Sequence, residues 1–337
     1  MDVLEYLKKR VLLAIPVLFG IITIVFFLSR VLPGDPARLA LGPEATEEQV
    51  QQMRIQMGLD KPLIIQYINY LSRILVGDFG KSYMTQRNVL TDILEFFPAT
   101  LELTIYAISF ALVIGVILGV WSSTNKDKWP DHLSRVLALS GISLPRYWSG
   151  IMFQIIFAFY FSSLPAIGRL DYGVTPPPTI TGLYTIDSLL TLNWEAFVSS
   201  VRHLILPVLT LSLPSISQFT RMVRSMMIEE KTADYVMLAR ANGIPRTIII
   251  YKYMLKNAFS ATLTLAGMIF AVTFASAFIV EWIFTWPGIA YYGITAIIGK
   301  DFNAIVGVSM VIGFLFVFVN LAVDVIYAYL DPRIKYG

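Results

Sequence analysis

The chain contains no cysteine, which excludes disulfides, thiolate metal ligands and cysteine nucleophiles and leaves the redox compartment open. Histidine is almost as scarce: His132 and His203 stand alone in different loops, without the spacing of a metal site. Charged residues make up only 15% of the 337 positions, against about a quarter in soluble domains. Apolar residues fill the space, at 56%. That balance excludes an ordinary soluble domain and describes a polytopic, all-α membrane protein whose first partner is the lipid bilayer. The net charge of +3 says less than where the Lys and Arg stand, and no nucleic-acid partner is expected.

Two kinds of chemistry are also missing. The nearest approach to a phosphate-cradling loop runs from Gly293 to Gly299 and Lys300, but it has five intervening residues instead of four, and Asp301 replaces the Ser or Thr. No His, Ser and acidic residues cluster at catalytic spacing. The chain is therefore not expected to be an enzyme or to bind ATP by that loop. An ion-coupled carrier would need carboxylates deep in its spans, where each costs about 2.5–3.5 kcal/mol to insert. Glu102, Glu281 and Asp324 lie toward span ends and read as interfacial groups or as partners for Arg and backbone. Arg146, inside the third span, faces a water-filled path or pairs with an acid. Residues 1–165 and 166–337 show no duplication, which counts against inverted-repeat carriers.

Hydropathy predicts six spans, at residues 11–29, 100–121, 136–162, 204–220, 261–283 and 304–327. The first exceeds a signal-peptide core and ends in Arg30 without a small-residue cleavage site, so it is read as retained. Pro145 interrupts the third. Pro207 and Pro214 predict a kinked fourth span packed in protein. The expected division is 1–32 for the tail and first span, 33–97 for a small ordered extracytoplasmic cap, 98–328 for a five-span core and 329–337 for a cytoplasmic tail. Seven Lys and Arg crowd residues 221–256 and three lie in 122–135. Short basic loops face the cytoplasm, which places both termini inside.

The polar island at 221–256 is the most informative stretch. Thr232 reads as an N-cap with Asp234 in the first turn. Asn242 and Gly243 supply a left-handed stop, and Pro245 opens another helix. Tyr235, Leu238 and Ala239 share one face of the short helix between them. Something must cover that face: its own chain, lipid headgroups, or a groove in a separate soluble protein.

The segment resembles the cytoplasmic coupling loop, here 222–258, of ABC importer permeases in the dipeptide/oligopeptide family. The matching residues are Asp234, Tyr235, Val236, Ala239, Arg240, Ala241, Asn242 and Gly243, followed by Leu255, Lys256, Asn257 and Ala258. Met237 stands at the loop's acidic position, Leu238 replaces an alanine, and Tyr253 replaces a common histidine. Further echoes are Leu32-Pro33-Gly34-Asp35-Pro36-Ala37, Gly58-Leu59-Asp60-Lys61-Pro62-Leu63, Gly77-Asp78-Phe79-Gly80-Lys81-Ser82, Leu164-Pro165-Ala166-Ile167-Gly168-Arg169 and the Glu281 to Gly288 stretch. The likeness runs from Tyr6 and Arg10 to Asn320, Asp324, Tyr327, Asp331, Pro332 and Arg333.

The resemblance implies a type I importer permease in the plasma or inner membrane. Its partners would be a second homologous permease, two ATPase subunits that bind ATP and Mg, and an extracytoplasmic solute-binding protein. Asp234, Tyr235, Val236, Leu238, Ala239, Arg240, Ala241, Asn242 and Gly243 would dock the ATPase. The family's default solutes are peptides, with oligosaccharides the alternative, and the residues of the solute path are left unassigned.

Overall fold

A computed structural model describes residues 3–31, 36–41 and 44–330. Leu32 to Asp35 and the tail from Asp331 lie outside the described residues, as do the side chains of Tyr6, Arg10, Asp324 and Tyr327. Among the described residues the only extended pairing is an isolated bridge between Lys81 and Asn88. Everything else that is regular is helical.

Helix α1 (Val3–Val31) is followed by α2 (Pro36–Leu41), α3 (Glu47–Gln56) and α4 (Leu63–Leu75). A capping box starts α3: Thr46 Oγ1 accepts the Gln49 amide while the Gln49 side chain accepts that of Thr46. Helix α5 spans Val89–Thr124, so the second span begins well before the expected residue 100. Asn88 caps it, its side-chain oxygen accepting the Leu90 amide at 2.9 Å. Pro98 lies within the helix, because a proline removes one hydrogen bond without ending a helix held by packing.

The third expected span is two helices, α6 (Trp129–Ser143) and α7 (Arg146–Phe153), parted at extended Leu144 and Pro145. The chain then winds more widely, as a π-helix, over Gln154–Tyr160. Next come α8 (Tyr184–Leu190) and the 37-residue α9 (Trp194–Glu230), which passes through both prolines. Helices α10 (Asp234–Ala241) and α11 (Arg246–Ile248), a π-turn at Ile249–Met254, and α12 (Leu255–Ala275) follow. The chain ends in α13 (Phe278–Ile283), α14 (Ile289–Ile298) and α15 (Phe302–Leu330).

By length and composition α5, α9, the Arg246–Ala275 run and α15 are each able to cross a bilayer, and α1 carries the apolar stretch Leu12–Phe27. Helix α9 is central: 61% of its apolar window is buried, against 28% in α15. This agrees with the expectation that its prolines require protein neighbours. Gly115 and Gly119 on α5 form a small-xxx-small pair against α9. A Cβ on Gly119 would stand 2.6 Å from Val223 Cβ, and one on Gly115 would collide with Phe219. Gly141 brings α6 equally close, since its Cβ would lie 2.7 Å from the Leu213 carbonyl oxygen. With only dispersion to gain between apolar helices in lipid, close backbone approach is what holds them.

The fifth expected span is also broken, at Ser276 and Ala277. The breaks in spans three and five meet, because Arg146 Nη1 donates to the Ser276 carbonyl at 3.3 Å. Among the described residues Arg146 thus meets the negative end of α12 rather than an acid. Glu102 accepts from Arg169 at 2.5 Å and from Thr185 N and Oγ1 at 2.8 and 2.7 Å, all buried. Arg169 also stacks its guanidinium 3.6 Å above the Tyr184 ring. Glu281 accepts from Thr100 Oγ1 at 2.5 Å and from the Tyr291 amide at 2.8 Å. Both carboxylates are therefore partners for Arg, hydroxyl and backbone groups, as expected; Asp324 lies outside the described side chains.

Residues 293–300 are helix end rather than loop, with Gly293 inside α14 against Val308. Overpacking costs about 1–3 kcal/mol. Gly119→Leu should therefore lower the melting temperature of the purified protein while the chain still inserts. An unchanged melting curve would contradict the close crossing of α5 and α9.

Candidate functional site

Helix α10 stands between two long helices, and the local chemistry fixes both of its ends. Thr232 does not cap it. The Thr232 hydroxyl instead donates back to the Glu229 carbonyl at 2.9 Å, closing the end of α9, and Ala233 takes the cap position in extended conformation. Threonine readily back-bonds in this way. Asp234 is the first helical residue, where the helix dipole favours an anion.

The far end is a Schellman motif. Ile244 N donates to Ala239 O at 3.1 Å and Gly243 N to Arg240 O at 3.0 Å. Gly243 has φ +70°, whereas Asn242 has φ −82°, so the left-handed turn rests on the glycine alone. A Cβ at Gly243 would meet nothing within 4 Å; conformation, not space, demands glycine there. Pro245 then precedes α11 as its cap rather than its first residue.

One face of α10 folds onto its own chain. Val236 and Ala239 are buried with Val120, Val223, Met227, Ile249, Met254 and Ala258. The predicted apolar face of Tyr235, Leu238 and Ala239 is corrected accordingly: Ala239 points inward, while Leu238 is 64% and Met237 52% exposed. Asp234, Arg240, Ala241, Asn242 and Gly243 are exposed as well. The helix therefore has two sides, one sealed to the spans and one uncovered among the described residues.

Polar contacts make the seal directional. Tyr235 donates its hydroxyl to Glu230 at the end of α9, and Asn257 Nδ2 on α12 donates to the same hydroxyl at 2.9 Å. Burial and the Glu230 hydrogen bond push the Tyr235 phenol up to about 12, so it remains a proton donor at physiological pH. In the first turn of α6 Asp131 accepts a bidentate pair from Arg224 of α9 at 2.7 and 2.8 Å, plus Ser122 Oγ at 2.5 Å. Arg246 reaches the Thr124 carbonyl at 3.3 Å. Helix α10 is thus tied by hydrogen bonds to α9 and α12 and packed with Val120 of α5. The residues carrying these ties beyond α10 (Glu230, Asn257, Asp131 and Arg224) are far apart in sequence, which is why pattern reading missed them. The two histidines take structural roles, His203 Nδ1 lying 2.9 Å from the Ser199 carbonyl and His132 Nδ1 2.6 Å from Arg135.

A family model described as "Binding-protein-dependent transport system inner membrane component" matches residues 111–336, and its N-terminal companion, "Binding-prot-dependent transport system membrane comp, N-term", matches residues 3–104. The chain is 40% identical to the probable D,D-dipeptide transport system permease protein DdpB of Escherichia coli K12, over 98% of this chain and 97% of that protein. It is 38% identical to the dipeptide transport system permease protein DppB of Alkalihalophilus pseudofirmus, over 99% and 100%. It is 34% identical to the glutathione transport system permease protein GsiC of Salmonella typhimurium, over 99% of each.

The left-handed conformation costs a residue with a Cβ about 1–2 kcal/mol. Gly243→Ala should accordingly speed hydrogen exchange of the α10 amides by about tenfold, leaving that of α5 unchanged. Equal protection in the two proteins would mean the turn is not under this constraint.

Proposed function

The chain belongs to the binding-protein-dependent transport system inner membrane component family, and from that premise we propose how this permease subunit of a peptide ABC importer works. It forms one half of a solute path whose other half is a second, homologous permease. Two ATPase subunits bind ATP and Mg, and a solute-binding protein delivers the peptide from outside. The chain itself supplies no nucleotide chemistry.

The two-sided character of α10 carries this reading. Energy from a partner must enter through a surface that is open to the partner yet locked to the spans. Helix α10 offers Met237, Leu238 and Ala241 outward, while Val236, Ala239 and Tyr235 hold it to α5, α9 and α12. Asp234 and Arg240 flank the open face, and the turn at Asn242 and Gly243 ends it. ATP-driven closure of the partners would press on that face, and the bundle around α9 would open alternately outward and inward.

The cytoplasmic side is assigned to α10 and to both termini by the basic loops, giving six spans with the third and fifth broken and residues 329–337 inside. Residues 33–97, whose last part is the opening of α5, then form the outer cap that helps receive the binding protein. Peptides are favoured as the solute because the full-length relatives are named for D,D-dipeptide, dipeptide and glutathione transport.

Leu238→Glu places a charge on the open face without touching the buried one. It should strip the ATPase subunits from the purified complex and abolish ATP-driven dipeptide uptake in proteoliposomes, with insertion intact. Uptake driven by an ion gradient without any ATPase would overturn the reading. Because the chain lacks cysteine, Tyr172→Cys, Lys128→Cys and Asn242→Cys map sidedness without further changes, and only Tyr172→Cys should react with an impermeant reagent from outside.

A further inference from the structure

Helix α4 belongs to the segment read from sequence as an extracytoplasmic cap, yet its contacts lie far down the first span. Tyr67 OH is 2.7 Å from Thr23 Oγ1, and Thr23 stands eight residues before α1 ends at Val31, about 12 Å along the helix axis. The Tyr67 ring also meets Phe19 and Phe26 edge-on, with centroids at 6.2 and 5.2 Å, and Tyr70 meets Phe26 at 5.2 Å. These residues of α1 sit within its apolar stretch Leu12–Phe27.

The same stretch of α1 turns large apolar side chains away from the protein. Val17, Phe19, Ile24 and Phe27 are each about half exposed or more, as lipid-facing residues of a span are. A helix packed against α1 at that level is at the same depth.

The pattern of α4 fits such a position. Tyr67, Tyr70, Leu71 and Ile74 turn toward α1 and the core. Ile64, Ile68 and Leu75 form an adjoining stripe at helical spacing and are 70%, 58% and 73% exposed. Asn69, Ser72 and Arg73 occupy the opposite arc, and Arg73 Nε reaches Asp78 at 2.9 Å. In water, Ile64, Ile68 and Leu75, and also Leu63 and Ile65, all large apolar side chains of a 13-residue helix, would remain uncovered. In lipid they continue the surface already presented by α1, while the polar arc looks outward and the Tyr67 hydroxyl finds its partner in Thr23.

We propose that α4 lies in the outer leaflet of the bilayer, with Ile64, Ile68 and Leu75 in contact with acyl chains and the Asn69, Ser72 and Arg73 arc at the headgroups. The cap is thereby anchored along α1 rather than suspended above the membrane. This rests on the reading of α1 as a span, and it stands apart from the docking role of α10.

The test uses the whole complex in phosphatidylcholine and phosphatidylglycerol liposomes, with single substitutions Ile64→Cys, Ile68→Cys, Leu75→Cys, Asn69→Cys and Ser72→Cys carrying a nitroxide. Collision with dissolved oxygen should exceed collision with a water-soluble nickel chelate several-fold at positions 64, 68 and 75, and the order should reverse at 69 and 72. A label at Phe27→Cys reports independently whether α1 faces lipid. Preferential nickel access at 64, 68 and 75 would place α4 in water and overturn the proposal. Low access to both reagents would show a protein covering the stripe, and would overturn it equally. A Phe27 label exposed to nickel would instead bring down the reading of α1 as a span.

Discussion

The close crossing of α5 and α9 is the constraint on which the other helices depend. Gly119 lets Val223 lie where a side chain would otherwise stand, and Gly115 does the same for Phe219. Two long helices, 36 and 37 residues, are thereby held together over several turns. Near one end of the pair α10 is sealed by Val120, Val223 and Met227. Toward the other, Leu103, Leu204 and Leu206 pack with Val280, Phe284 and Trp286, and Trp286 Nε1 donates to the Ala99 carbonyl at 2.9 Å. A force applied at the α10 end thus meets a stiff pair rather than a chain of loose contacts.

Around that pair several buried charged groups are matched in low dielectric, although the hydroxyls of Thr104 and Thr220 have no partner among the described residues. Removing one partner from a buried ion pair leaves an uncompensated charge and is strongly destabilising, so Glu102 and Arg169 fasten the loop before α8 to α5. Asp301 does the same for the cap. It accepts Ser82 Oγ at 2.5 Å and caps α15 through the Ala304 amide at 3.1 Å. Asp92 joins Arg87 of the cap to Tyr292 of α14. The family-like Gly77 to Ser82 stretch is therefore part of the joint between cap and bundle.

Hydropathy made the four long apolar helices and the apolar stretch of α1 legible, and the capping grammar around Gly243 made the α10 turn legible, because both signals are local. What escaped was decided by distant partners. The 3.6-residue period places Ala239 and Tyr235 near one arc but cannot say which arc is covered; Val223 and Met227, on another helix, chose Val236 and Ala239. Thr232 is as good a closing residue for α9 as an opening one for α10, and the Glu229 carbonyl won it. The expected start of the second span, residue 100, lies inside α5 because Asn88 supplies the cap. Arg146 and Ser276, 130 positions apart, meet only once the two broken spans are packed.

The π-turn at Ile249–Met254 has a geometric consequence for everything after it. Buried residues follow at 249, 254, 258, 262, 266, 269, 271, 273 and 274, with a stride of five across the turn and of three or four from there to 269. The wider coil absorbs one extra residue, turning the later helix by about 100° relative to an unbroken α pattern. That phase shift lets the arc touching α10 and the arc touching the bundle form one continuous seam. Excising a single residue there would leave each half well formed and the two halves aimed in different directions.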